Sequence, residues 1–329
     1  MTKTSPPKAS IVVPAFNVAS TLAETLRSLQ AQSLQDIEIL IIDDGSTDET
    51  AFIAKPFLSD PRIRYIRQAN RGLAGARNRG IEEATAEIIG FCDADDLWHP
   101  DKARRHVAHF KSNPNLGLSY AGSALIDEAS KPLGLNQSPR LKGITAQHVL
   151  KRNPIGNGSA AMLRRAALMD IASHPIGVHH TYYFDETFRQ SEDIECWLRL
   201  ALLTDWDIEG IPGLLTSYRV ALGGLSANTD RQLASWENVI TKLRPIQPAF
   251  FAKHEGAARA YQLRYLARRA ISGGDGAQAA AYLRQANACS LEPYRAEPLK
   301  SLTTLLATLM LTRLKINPMT LRKRATQTQ

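Results

Sequence analysis

The sequence predicts an α/β domain on a mainly parallel central sheet flanked by helices, followed by a helical C-terminal region. Two observations carry this. Short apolar segments alternate with stretches of helical spacing between residues 9 and 127, the rhythm of buried strands and crossover helices. Past Asn228 the composition turns helical and basic. Residues 229–329 hold 16 Lys and Arg against 6 Asp and Glu, a balance of +10, whereas the first 228 hold 24 basic and 26 acidic residues, a balance of −2. The chain therefore reads as two regions, 1–228 and 229–329.

"ASIVVPAFN" (9–17) reads as a first buried strand that ends at Pro14, and Leu22, Leu26 and Leu29 give 21–32 helical spacing. "IEILII" (37–42) is a second buried strand. Thr47–Lys55 reads as a helix ended by Pro56, with Ser46 or Thr47 as its cap and Asp48 and Glu49 in its first turn. "RIRYIR" (62–67) alternates as a strand does, and the alanine-rich Gly72–Ala84 suits a helix. "EIIGFC" (87–92) is a third apolar strand, broken at once by "DADD". Pro100–Lys111 opens with proline where a helix tolerates it best, and 116–127 returns to a strand pattern. Residues 128–156 read as a long surface connection with one or two helical turns at Thr145–Leu150. "GSAAMLRR" (158–165) reads as strand into helix, Glu192–Leu203 as a helix, and 207–220 as two strands about a turn. Helices at Gln232–Leu243, His254–Ile271 and Gly276–Asn287 follow, with "SGGDG" (272–276) as an interruption, then an apolar segment at 299–315.

At 329 residues and 44% hydrophobic, the chain fills a real core. Cys92, Cys196 and Cys289 are too few and too far apart for a disulfide framework or a zinc cluster, which points to a reducing compartment. Met1–Lys8 is polar and lacks an apolar signal region, and no apolar run reaches the ~20 residues of a membrane span.

Two strands end in clustered acid, Asp43–Asp44 and Asp93-Ala94-Asp95-Asp96. Adjacent carboxylates repel unless a donor or a cation sits between them. In a parallel sheet the C-terminal strand ends share one edge, where ligands bind. Phosphate alone is repelled there; a divalent cation bridging carboxylate and phosphate oxygens resolves the conflict, and Mg²⁺ and Mn²⁺ suit oxygen ligands. A phosphate-binding P-loop, a G-x-G-x-x-G after the first strand and a G-x-S-x-G are all missing from the sequence. In "SEDIECWLRL" (191–200), Ser191 can cap a helix with Glu192 and Asp193 in its first turn; the other reading is a carboxylate that takes a substrate proton.

Together, "VVPAFN", "IIDDGSTD", "NRGLAGARNRG", "FCDADD" with "WHPDK", "SED" with "CWLRL", and "YRV" with Ser226 beyond it make the chain resemble the inverting glycosyltransferases of family 2, which have the GT-A fold. The resemblance spans roughly residues 9–226, and Phe16 stands where the family often has tyrosine. It implies that Pro14, Phe16 and Asn17 line a nucleotide pocket. The Asp43–Asp44 pair contacts the base, one carboxylate accepting a ring N–H of uracil or thymine, which favours a UDP- or dTDP-sugar donor. "DADD" matches the family's DXD motif, with Asp93 on ribose, Asp95 on Mn²⁺ or Mg²⁺ and Asp96 assisting. Arg77 is a second positive partner for the diphosphate. Asp193 matches the catalytic base of a one-step inverting transfer.

The acceptor implied is a saccharide or lipid-linked sugar, chosen by residues 128–190, in the setting of bacterial polysaccharide and cell-envelope synthesis. In that region "HPIGVHHTYYF" (174–184) reads as core packing, with stacking of Tyr182, Tyr183 or Phe184 on an acceptor ring as the functional alternative. The basic tail suits peripheral contact with anionic membrane at the inner face of a cytoplasmic enzyme, or simply packs on the helices before it. Acidic strand ends argue against nucleic acid. Two other classes compete. A sugar-1-phosphate nucleotidyltransferase opens with a glycine-rich basic loop that "PAFNVAS" does not offer, and a non-enzymatic basic membrane adaptor leaves the acids of the first region idle.

Overall fold

The computed structural model describes residues 6–220 and 229–315. The chain forms two compact units, residues 1–149 with 153–224, and residues 225–329 with 150–152. The expected boundary at Asn228, Ser226 of the family pattern, the first five residues and the basic close of the chain at 321–329 lie outside the described residues.

The first unit is built on one nine-stranded sheet. Its first half is β1 (Ala9–Ala15), β2 (Ile37–Asp43), β3 (Ile63–Arg67) and β4 (Ile88–Phe91), linked through α1 (Leu22–Gln30), α2 (Thr50–Ala54) and α3 (Gly72–Glu83). These four strands are parallel and lie in the order β3-β2-β1-β4. Beyond β4 the sheet is mixed. It is completed by β5 (Leu97–Trp98), β6 (Leu116–Ile126), β7 (Pro132–Gln137), β8 (Ala161–Arg164) and β9 (Asp207–Arg219). β8 runs antiparallel to β4 and β6, β9 parallel to β6, and β5 and β7 antiparallel to their neighbours. Helices α4 (Lys102–Ser112), α6 (Arg165–Asp170), α7 (Glu192–Leu203) and the start of α5 (Ala146–Arg152), whose last three residues count with the second unit, complete the unit.

Alternation along β1 decides which helix covers which face. Ile11 and Val13, with Ile39 and Ile41 of β2, pack in one core with Leu22, Leu26 and Leu29 of α1. Val12 points the other way, to α3. Gly80 lets that helix come close, because a Cβ there would stand 2.7 Å from Val12 Cγ2.

Five expectations are corrected. Pro14 lies inside β1 and does not end it. Val12 accepts from Cys92 N on the β4 side, so two residues on the missing N–H of Pro14 faces that side, where β4 has already left the ladder. Helix α2 starts at Thr50, not Thr47, because Asp48 Oδ1 accepts from Thr50 N at 2.9 Å and Asn17 Oδ1 from Thr47 N at 2.8 Å, which holds the preceding turn out of the helix. Neither Ser46 nor Thr47 caps it; the α-helix stops at Ala54, just short of Pro56 as expected, and Pro56 falls in the first turn of a 3-10 helix, Lys55–Ser59. The 128–156 connection contains β7, an exposed strand whose alternation, Leu133 and Leu135, is only two apolar residues long. Residues 207–219 are one strand, bulged against β6 near Gly213, whose φ of 101° takes up the shift.

The second unit is helical: α8 (Thr229–Leu243), α9 (Pro248–Ser272), α10 (Gly276–Cys289), α11 (Glu292–Ala296) and α12 (Pro298–Leu309), the last continued by a π-helical turn, Met310–Leu314. Ala260, Leu263, Leu266 and Ala267 of α9 pack with Tyr282, Leu283 and Ala286 of α10. Asp275 in "SGGDG" caps α10, accepting from Gln278 N at 2.9 Å. Part of the basic character is spent inside this unit. Arg264 is buried on Pro293 O and Glu297, and Arg259 pairs with Glu237 and Glu255. Among the described residues no helix is long and apolar enough to cross a membrane.

Candidate active site

Strand order reverses between β1 and β4, so a crevice opens beyond their C-terminal ends. Four segments meet along that edge: Phe16–Asn17 after β1, Asp43–Ser46 at the end of β2, Asp93–Asp96 after β4, and the start of α7. Pro14 is buried in its strand. Phe16 is 49% exposed, an aromatic face left open at the strand end. Asn17 takes the left-handed region at φ 53° and uses its side chain to hold the turn after β2.

The Asp43–Asp44 pair is fully buried, and its chain supplies the donors that two adjacent charges require. Asp43 Oδ1 accepts from Ser46 N at 2.8 Å, and its Oδ2 from the Tyr65 hydroxyl. Asp44 accepts from Gln68 Nε2 at 2.7 Å, Arg71 N at 2.9 Å and Gly72 N at 2.8 Å. Asp43 therefore shapes the turn after β2, and Asp44 ties that turn to the start of α3.

Arg77 of α3 is buried and lies between two acidic elements. Its Nη2 donates to Asp93 Oδ1 at 2.8 Å and its Nη1 to Glu192 Oε1 at 2.6 Å, with the rings of Phe91 and Phe184 beside the guanidinium. Burial opposes its charge, but Asp93 and Glu192 outweigh burial and raise its pKa. Arg77 thus joins the "DADD" loop to the first turn of α7 and is closed in by carboxylates. Ser191, expected to cap α7, makes no capping bond; it sits in the left-handed region at φ 65°. Asp193, half-buried, follows Glu192. Burial, then the charge of Glu192, pushes its carboxyl up to about 7.

Asp95 is also half-buried, and burial followed by the Asp93 charge raises it to about 6. Asp96 is turned inward at 0% exposure: its Oδ1 accepts from Arg219 N at 2.9 Å, its Oδ2 has no partner, and burial pushes its pKa well up. The donor set is all oxygen and short of positive charge, which fits a hard divalent cation. Among the described residues no group of three His, Cys, Asp or Glu is arranged around one point as a finished metal site. Asp93 and Asp95 are the carboxylates that reach the edge, and Asp96 supports the loop from behind.

Two basic residues that sequence reading passed over hold this loop. Arg219 donates to Asp95 O at 2.7 Å, to Asp127 O and Glu128 O at 3.0 Å, and to Glu24 Oε2 at 2.9 Å. Lys102 is buried, with Nζ 2.7 Å from Ser159 O and 2.8 Å from Thr216 Oγ1, and Ser159 Oγ accepts from Asp93 N at 2.9 Å. A sequence signal for Lys102 existed. It shares one helix face with His106 and Phe110 at i, i+4 and i+8, and all three are buried. In the 174–184 stretch, Phe184 packs edge-on between Phe91 and Trp197, and Tyr183 is buried beside it. Both are core, and Tyr182 is the more open aromatic of the three.

Replacing Arg77 with Met strands two carboxylates that now share one buried cation. We expect a loss of about 3–5 kcal/mol of stability, read as a lower denaturant midpoint at neutral pH. A midpoint within experimental error of the parent contradicts the bridge.

The family model for glycosyl transferase family 2 matches residues 10–172. The chain is 30% identical over 199 residues to a Bacillus subtilis protein named "Putative glycosyltransferase EpsE", covering 59% of this chain and 67% of that protein. It is 29% identical over 227 residues to WfgD of Escherichia coli, named a UDP-Glc:alpha-D-GlcNAc-diphosphoundecaprenol beta-1,3-glucosyltransferase, covering 68% and 81%. An uncharacterized glycosyltransferase of Rickettsia felis is 30% identical over 216 residues, 66% of this chain but 33% of that protein, so the chain spans about a third of such longer relatives. Among solved structures, the mannosyltransferase PcManGT from Pyrobaculum calidifontis, in complex with GDP-Man and Mn²⁺, superposes with a TM-score of 0.56 at 21% identity, covering 94% of this chain and 87% of that one. S. aureus TarS 1-349 in complex with UDP-GlcNAc gives 0.53 at 16% identity, covering 92% and 81%. These likenesses show the fold, which is GT-A as expected. By its sequence relatives, the chain belongs to glycosyl transferase family 2.

Proposed function

We propose that this chain is an inverting glycosyltransferase. It moves a sugar from a nucleotide-diphosphate sugar, with a UDP- or dTDP-sugar favoured, to a hydroxyl of a saccharide or lipid-linked acceptor, with Mn²⁺ or Mg²⁺ as cofactor. The observation that carries the proposal is the Arg77 bridge, which fixes Asp93 of the "DADD" loop and Glu192 beside Asp193 on one buried guanidinium. The complexes of TarS with UDP-GlcNAc and of PcManGT with GDP-Man and Mn²⁺, and the name of WfgD, support it by likeness.

Each residue then has a task. Phe16 and Asn17 face the nucleotide. One carboxylate of the Asp43–Asp44 pair is assigned to a ring N–H of the base, and Asp93 to the ribose. Asp95 holds the divalent ion, which when bound supplies positive charge to the leaving diphosphate. Arg77 acts through Asp93 and Glu192, not on phosphate. Asp193, with a pKa near neutrality, takes the proton of the acceptor hydroxyl. The acceptor oxygen forms its bond to the anomeric carbon from the side opposite the diphosphate. The carbon–oxygen bond to the diphosphate breaks with its electron pair on oxygen, and the anomeric configuration inverts. The enzyme is placed in the cytoplasm with peripheral contact at the inner membrane face, in polysaccharide or cell-envelope synthesis.

The test is a panel of UDP- and dTDP-sugars with Mn²⁺ or Mg²⁺, followed by nucleoside diphosphate release with and without saccharide and lipid-linked acceptors. Release that rises several-fold on adding an acceptor is expected for at least one donor. Release of a sugar 1-phosphate together with a nucleoside triphosphate, when pyrophosphate is added to the same panel, returns the nucleotidyltransferase reading instead.

A further inference from the structure

The last helix among the described residues has its polarity reversed. Along α12 the buried positions include Ser301, Thr304 and Thr308. Leu299, Leu302, Leu306 and Leu309 are 78%, 48%, 59% and 45% exposed. At 3.6 residues per turn these four leucines fall in an arc about 80° wide, opposite the three hydroxyls. Leu314, on the π-helical turn that follows, is exposed as well.

The inward face is fixed by its own bonds. Ser301 Oγ donates to Pro293 O at 2.7 Å and accepts from Arg264 Nη1 at 2.5 Å. Thr304 Oγ1 donates to Lys300 O at 2.6 Å and Thr308 Oγ1 to Thr304 O at 2.8 Å. Rotating the helix to bury its leucines would take Ser301 away from the buried Arg264. The apolar stripe is therefore held outward, where an isolated soluble domain has no use for it.

Charge selects the occupant. Residues 298–329 contain Lys300, Arg313, Lys315, Arg322, Lys323 and Arg324 and not one Asp or Glu, although Lys300 is already paired with Glu297. A second copy of the same face would bring like charge against like. An anionic lipid surface brings the opposite charge and an apolar layer beneath it. At about 1.5 Å per residue, α12 is too short to cross a ~30 Å hydrocarbon core, so it lies along the surface.

We infer that Leu299, Leu302, Leu306 and Leu309 of α12 form the surface by which this chain docks on an anionic membrane, the leucines entering the headgroup boundary and the neighbouring Lys and Arg pairing with lipid phosphates. This deepens the peripheral-contact reading above and rests on it, but not on the transfer chemistry.

The test is flotation of the full chain with vesicles of phosphatidylcholine containing about 30 mol% phosphatidylglycerol, and with phosphatidylcholine alone. The wild type floats with the anionic vesicles and at least several-fold less with the neutral ones. The double substitution Leu302→Gln/Leu306→Gln, on an exposed face, keeps the circular dichroism spectrum and the UDP-sugar affinity and lowers flotation about tenfold. Equal flotation of the two proteins overturns the inference. So does a wild-type dimer in sedimentation velocity that the double substitution converts to monomer with no vesicle binding, which assigns the stripe to a second copy. Vesicle binding without nucleoside diphosphate release in the donor panel would leave this surface standing and remove the transferase reading alone.

Discussion

Asp193→Asn lowers acceptor-dependent transfer by about 10²–10⁴-fold while donor affinity stays within a factor of a few. Asparagine keeps the size and one acceptor oxygen but cannot take a proton. Stability moves the other way. The Asp193 carboxyl is raised from its ordinary value of 3.8 to about 7 by burial and by Glu192, so the folded chain binds a proton in a range where the unfolded chain has released it. The sign follows: Asp193 costs the fold nothing below pH 4, and that cost grows as pH rises from about 4 through about 7. Removing the charge therefore leaves the melting temperature at pH 8 unchanged or higher. An inactive but unfolded variant is thereby distinguished from a folded protein that lacks its base. The same pKa predicts that transfer by the wild type falls as pH drops below about 7. A folded Asp193→Asn protein that transfers at near the parental rate contradicts the assignment and turns attention to Glu192.

The second large effect is expected at the "DADD" loop. Asp95→Ala removes the carboxylate assigned to the divalent ion, and we expect transfer to fall by about 10²-fold or more, matched by EDTA treatment of the wild type. Addition of Mn²⁺ restores the wild type after chelation but not the variant. Asp96→Asn behaves differently, because Asp96 is turned inward onto Arg219 N. Its effect is expected first in the melting temperature. Transfer by Asp95→Ala at near the parental rate, or wild-type transfer unchanged by EDTA, contradicts the metal assignment.

The sheet edge was legible in the sequence because strands buried on both faces leave nearly unbroken apolar runs. β2 and β4 stop at the acidic clusters Asp43–Asp44 and Asp93–Asp96, and those clusters mark the ligand edge. Helix α7 was legible to the residue, since its apolar face and its acidic first turn agree. The remainder depended on partners far apart in sequence. Arg219 reaches Asp95 and Asp96 across more than a hundred residues, and nothing near "YRV" announces it. Arg77 was read as a partner of the diphosphate because the family resemblance implies one. Only the fold brings Glu192 and Asp93 to its two ends. Ser191 has the residue type of a helix cap, yet it adopts a left-handed backbone and makes no capping bond. Strand β7 escaped for another reason: as an exposed hairpin partner its alternation is only Leu133 and Leu135, between Pro132 and polar residues.

The central claim is that the donor is held through Asp95 and the proton is taken by Asp193, two separable tasks on one sheet edge. Calorimetric titration of a UDP-sugar that the panel identifies as a substrate, with Mn²⁺, into the wild type, Asp95→Ala and Asp193→Asn tests it most directly. The account predicts wild-type affinity in Asp193→Asn and a drop of at least about tenfold in Asp95→Ala, with the wild type in EDTA falling to the same level. Equal affinity in all three proteins, or a loss in Asp193→Asn as large as in Asp95→Ala, contradicts it.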